Sequence, residues 1–99
     1  MHVSVCQIEL RLPENHSLKG KRQVIKSMIT RLQNKFNVSV AEVDDQGLWQ
    51  LAVLGVACVS NHRRHCEETL DNVVKFIVQY YPDVELLGSE IEAFPCERR

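Results

Sequence analysis

A chain of 99 residues, 44% hydrophobic and 25% charged, can hold one modest core and is expected to form a single domain over residues 1–99. Twelve basic against thirteen acidic side chains give a net charge of -1 and a pI of about 6.4, which excludes the whole-chain basic field of a general nucleic-acid binder. No apolar run reaches the roughly 20 residues of a membrane span. The strand-like start lacks a signal-peptide layout. Cys6, Cys58, Cys66 and Cys96, without close pairing, suit reduced thiols, so a cytoplasmic protein is expected.

Residues 2–12 alternate as a strand with Ser4, Cys6, Ile8, Leu10 and Leu12 on the core face. Pro13 to His16 form a loop, and Ser17 is the expected N-cap of a helix running to about Phe36. Its apolar stripe is Leu18, Ile25, Met28, Ile29, Leu32 and Phe36. The helix carries Lys19, Lys21, Arg22, Lys26, Arg31 and Lys35 and no acid, with three cations in first turns where the macrodipole disfavours them. Lys19, Arg22 and Lys26 share one flank, while Lys21 falls close to the apolar stripe.

Val38 to Val43 read as a second strand, followed by the turn Asp44-Asp45-Gln46-Gly47 and a hairpin return. Residues 48–59 are apolar on both alternate sets, as in a central strand. Ser60 and Asn61 precede a second helix with the stripe Cys66, Leu70, Val73, Val74, Ile77 and Tyr81, stopped by Pro82. Residues 84–94 form the last strand, with a bulge expected near Leu87-Gly88, and Cys96 to Arg99 a tail. The order predicts an α+β, ferredoxin-like βαββαβ fold: a four-stranded antiparallel sheet in order 4132 with two helices on one face. Strands one and three are expected side by side and parallel, which would bring the two helix N-termini together.

The motifs Ser17-Leu18-Lys19-Gly20-Lys21-Arg22, Val43-Asp44-Asp45-Gln46-Gly47-Leu48-Trp49 and Leu54-Gly55-Val56-Ala57-Cys58-Val59-Ser60-Asn61 resemble those of the YlxP-like proteins, a small bacterial family catalogued as a domain of unknown function. The resemblance implies a ferredoxin-like fold and a cytoplasmic bacterial protein. Genes of that family often lie beside translation and ribosome-maturation genes, including that for ribosome-binding factor A, which is an association with RNA. The family offers no established active site to carry over. His62-Arg63-Arg64-His65 stand where a more acidic helix start is expected.

The expected site is a cluster at the two helix N-termini, where unpaired N–H groups and partial positive charge attract anions. Its residues are Lys19, Lys21, Arg22, Lys26, His62, Arg63 and Arg64, with His16 and His65 nearby. Lys21 and Arg63, both close to buried stripes, are expected to face one another across the gap, so that removing either leaves the empty fold at least as stable. Cys58, His62, His65 and Cys66 include an i,i+4 pair, but no Cys-x-x-Cys supports a metal, and none is predicted. The open sheet face offers only Trp49 for base stacking and no RNP1 pattern, so its apolar set points to self-association. Glu42, Asp44, Asp45, Glu90 and Glu92 read as solvated strand edges. No catalytic or cofactor motif is present. The chain therefore predicts a non-enzymatic module binding RNA or a ribosomal particle. A small phosphorylated-ligand sensor or a structural homodimer is the alternative.

Overall fold

Period-2 and period-3.6 patterning give six elements in the computed structural model, which describes residues 1–97 and so leaves the end of the Cys96–Arg99 tail outside the description. They are β1 (His2–Arg11), α1 (Leu18–Lys35), β2 (Ser39–Asp44), β3 (Leu51–Ser60), α2 (Arg63–Tyr80) and β4 (Glu85–Pro95). The sheet runs β2-β3-β1-β4, and the expected ferredoxin-like α+β topology holds.

Every pairing in the sheet is antiparallel, including β1 with β3, where His2 faces Ser60 and Arg11 faces Leu51. This corrects the expectation that strands one and three run parallel. The β1–α1–β2 crossover returns the chain in its original direction, and the β2–β3 hairpin then reverses it, so β3 runs against β1. Consequently α1 starts at one end of the sheet and α2 at the other. Nine residue steps separate Arg11 from His2, roughly 30 Å at ~3.4 Å per residue.

One face of the sheet carries Cys6, Ile8 and Leu10 of β1 and Ala52, Leu54, Val56 and Cys58 of β3, all buried. Ile25, Met28 and Leu32 of α1 and Cys66, Leu70, Val73, Phe76 and Ile77 of α2 complete this single core. Leu18, expected in the α1 stripe, is only partly buried. Lys21 takes the first-turn position instead, at 0% exposure. Phe76 was absent from the expected α2 stripe, yet it is buried beside Phe36.

Strand three starts at Leu51, later than the apolar run from residue 48 suggests. Leu48 and Trp49 remain half exposed in the connection. The Trp49 carbonyl accepts from Asn15 Nδ2, and the Gln50 carbonyl accepts from Leu12 N at 2.8 Å, so these residues serve the β1–α1 loop. The expected bulge in the last strand is present: Glu9 pairs with Gly88 and Leu10 with Leu86, which leaves Leu87 unpaired. A second bulge at Val43 lies between the Glu42–Leu54 and Asp44–Val53 pairs. No helix among the described residues is long and apolar enough to cross a membrane.

Candidate nucleic-acid interface

The β1–α1 loop fixes how α1 begins. Ser17 is extended (φ -157°, ψ 157°) and its hydroxyl accepts the Gly20 N–H at 2.9 Å, the capping contact its residue type predicts. Asn15 donates to the Ser17 carbonyl at 2.7 Å and to the Trp49 carbonyl. Its side chain occupies the space a Cβ on residue 20 would need, so glycine at position 20 is a packing requirement.

Lys21 sits one residue further on, inside the α1 stripe. Glu42 pairs with Leu54, a core residue, and therefore lies on the helix-facing side of β2. The two meet: Lys21 Nζ is 2.9 Å from Glu42 Oε2, with the side chains 0% and 18% exposed. The same ammonium donates to the carbonyl of Asp45 at 2.6 Å and of Leu51 at 2.9 Å, with Gln46 O at 3.4 Å. Asp45 adopts φ 60°, which turns the chain so that its carbonyl reaches the lysine. An ammonium has three N–H donors, and the carbonyls of Asp45, Gln46 and Leu51 take them, while Glu42 supplies the countercharge. Lys21 thus ties α1 to the β2–β3 connection and has no donor left for an external anion.

This placement corrects two expectations. Lys21 and Arg63 do not face one another, because antiparallel β1 and β3 put their helices' N-termini at opposite ends. Glu42 is not a solvated strand-edge carboxylate, because register points it under α1. The sequence showed only half of this: Lys21 falls near the helix stripe, but the side on which Glu42 lies follows from the strand register.

The remaining α1 cations stand apart from this lock. Lys19, Arg22 and Lys26 are exposed, and none has a carboxylate within ion-pair distance among the described residues. At 100° per residue they share about 60° of arc and span about 10 Å along the axis. Arg22 and Lys26 border a shallow depression floored by Ile25 and Ile29, whose one carboxylate, Glu42, already holds Lys21.

The other basic group differs. Arg63 pairs with Glu67 at 2.9 Å and Arg64 with Glu68 at 3.1 Å, each one helical turn along α2. Arg63 is an exposed side chain outside the buried stripe, which corrects its expected position. His62 occupies the N-cap without a side-chain capping bond, and its N–H donates to the Ser60 hydroxyl at 3.1 Å. His16 and His65 are exposed.

Cys58 and Cys66 are buried together, with Cys66 Sγ 3.6 Å from the Cys58 carbonyl, while His62 and His65 stay in solvent. No grouping of three or more His, Cys, Asp or Glu side chains suited to a metal ion occurs among the described residues. Burial first, and the adjacent Cys66 thiol second, push the Cys58 thiol above its ordinary value. Burial, and then the charge of Asp71, push Cys6 the same way.

The face of the sheet away from the helices is bare. Val5 and Ala57 pair at its centre, Val3 and Val59 lie beside them, and Val43 closes over Gly55 from the β2 bulge. Val43 and Val59 are 49% and 55% exposed. On the β4 side the same face turns acidic, with Glu90 opposite Gln7 and Glu92 opposite Val5.

The fold and these residues can be set beside known proteins. A computationally designed protein, De novo designed protein Foldit4, superposes with a TM-score of 0.55 over 98% of this chain and 100% of its own, at 14% identity, a likeness of fold alone. Uncharacterized protein YlxP of Bacillus subtilis (strain 168) is 38% identical over 92 residues, covering 93% of this chain and 99% of that protein. The family model described as Protein of unknown function (DUF503) matches residues 3–91, so the chain belongs to that family.

Proposed function

We propose that this protein is a non-enzymatic binding module for RNA, free or within a ribosomal particle, and that the outer flank of α1 carries the contact. The observation behind this reading is the charge of α1: six cations and no acid. Lys21 is consumed by the fold, and Lys19, Arg22 and Lys26 remain exposed on one flank, without an ion-pair partner among the described residues. Such a row suits consecutive phosphates, which supply most of the affinity of nucleic-acid binding at low salt. Arg63 and Arg64, at the far end and already paired with glutamates, are left out of the contact. A cytoplasmic setting agrees with four free cysteines.

The test is fluorescence anisotropy with a labelled single-stranded RNA. Lys19→Glu/Arg22→Glu/Lys26→Glu should abolish binding, whereas Arg63→Glu/Arg64→Glu should change it little. Equal losses in both variants would remove the assignment to α1.

A structural homodimer is supported by a different observation, the apolar centre of the open sheet face. Exposed apolar patches of this kind mark interfaces, and a second copy is one occupant. The antiparallel sheet separates the two helix N-termini at which both the RNA and the small phosphorylated-ligand readings were first expected.

A further inference from the structure

The two outer edges of the sheet are finished differently. β2 is six residues long and bulged at Val43. Its outward main-chain groups are also occupied: Gln33 Oε1 accepts the Val40 N–H at 3.1 Å, and Gln46 Nε2 donates to the Glu42 carbonyl at 3.3 Å. A short, bulged edge with side chains on its main chain is closed to another strand. β4 is eleven residues long, and its residues 88–95 pair with β1 in unbroken register. Among the described residues no side chain is hydrogen-bonded to its outer edge before Phe94, whose carbonyl lies 4.0 Å from Cys96 Sγ.

This open edge carries side chains of two kinds. Ile91 stands opposite Cys6 and Leu86 opposite Leu10, both core residues. Ile91 and Leu86 therefore lie on the helix-facing side, at the rim of the core, and each is 38% exposed. Apolar side chains left open at a strand edge gain from a neighbour on the same face. Glu90 and Glu92 flank Ile91 and lie on the other face, and neither has an ion-pair partner among the described residues.

Charge decides which strand fits. β4 contains three glutamates and no cation. A second copy of β4 would bring more carboxylate to this edge, and like charges across a strand pair are unfavourable. A basic strand is attracted instead. Alternation then sets its pattern, because successive side chains point to opposite faces. Residues opposite Glu90 and Glu92 should be Lys or Arg. The residue between them, opposite Ile91, should be apolar, and Val or Ile suits a strand best. Main-chain bonds along the edge would supply affinity, and the alternating side chains selectivity.

We propose that the outer edge of β4, over residues 88–94, docks an extended segment of a partner protein in which Lys or Arg alternates with Val or Ile, added as a fifth strand of the sheet. No residue of the α1 flank takes part, so the proposal stands whether or not α1 binds RNA.

Two labelled octapeptides of one composition test it, Lys-Val-Lys-Val-Lys-Val-Lys-Val and Lys-Lys-Lys-Lys-Val-Val-Val-Val, with affinity read by anisotropy and the site by amide NMR shifts. The alternating peptide should bind about tenfold tighter, the scale of three cross-strand pairs, and should shift the amides of Ser89 to Phe94. Glu90→Lys/Glu92→Lys, at exposed positions, should remove that advantage, and an alternating Glu-Val octapeptide should bind this variant in its place. Alternate N–H groups of a strand face its neighbour, so N-methylation of every valine amide or of every lysine amide should abolish binding in one of the two peptides and spare the other. Equal affinity for the two isomers, no binding by the alternating peptide, shifts confined to elements other than β4, or equal binding by the two methylated peptides overturns the proposal. A two-chain mass by light scattering that Ile91→Lys reduces to one chain would give this edge to a second copy and overturn it as well.

Discussion

Lys21 is the residue whose replacement should cost most. Lys21→Ala leaves the Glu42 carboxylate without its cation and takes the lysine donor from the Leu51 and Asp45 carbonyls, the latter keeping only the Leu48 N–H. Breaking a buried ion pair of this kind costs about 3 kcal/mol or more, a large share of the roughly 5–15 kcal/mol that holds a domain together. Urea unfolding should show that loss, and a midpoint equal to that of the unaltered protein would refute the lock. Gly20→Ala should also destabilise, although helix propensity alone favours alanine by up to ~1 kcal/mol, because the new methyl group meets the Asn15 side chain. Asn15→Ala placed on top of Gly20→Ala should then cost less than the sum of the two single changes. The buried thiols give a pH signature. Folding raises the Cys6 and Cys58 values above the ordinary 9.0, so their contribution is complete below that pH and is lost as the pH climbs through the folded-state values. Stability should therefore decline on the alkaline side of about pH 9 and show no pH dependence from these two groups in acid. In the native protein a thiol reagent should modify the exposed Cys96 and spare Cys6, Cys58 and Cys66.

At the scale of elements, α1 and α2 have equal lengths and similar basic starts, yet they manage charge differently. The α2 arginines are offset within their own helix, by surface pairs worth roughly 0.3–0.5 kcal/mol each. The six α1 cations have no acid on their helix: Lys21 is buried against β2, Arg31 and Lys35 lie over aromatic rings, and Lys19, Arg22 and Lys26 are left bare. Replacing Lys19, Arg22 and Lys26 with alanine should leave the thermal midpoint almost unchanged while removing RNA affinity. The stripes of both helices, the alternation of β1 and the β4 bulge were legible in the sequence because each follows from one repeat period or one turn residue. Glu42 was not read as a partner, because a carboxylate near a turn ordinarily faces water. Only the register with Leu54 reveals that it lies beneath α1. The Arg31–Tyr80–Tyr81 cluster joins residues far apart in the chain, and no local pattern announces it.

For the whole molecule, strand direction decides what the basic residues can do together. Strand order followed from the element order, but the composite anion site needed β1 and β3 to point the same way. The hairpin between β2 and β3 forbids that, and the seven candidate residues divide between two ends of the sheet. The bare sheet face is the second feature of this scale. If two copies stack on it, light scattering at micromolar concentration should give twice 11.4 kDa, and Val5→Lys with Val53→Lys should return the mass to that of one chain. The proposed division of labour within α1, in which Lys21 holds the fold and Lys19, Arg22 and Lys26 would contact RNA, is tested most directly by the salt dependence of RNA affinity. Three single-strand phosphate contacts at ~0.7 each predict a log–log slope of about -2 for the unaltered protein. That slope should fall close to zero in Lys19→Ala/Arg22→Ala/Lys26→Ala and stay unchanged in Arg63→Ala/Arg64→Ala. An undiminished slope in the triple variant, or no binding by the unaltered protein even at ~50 mM salt, would contradict it.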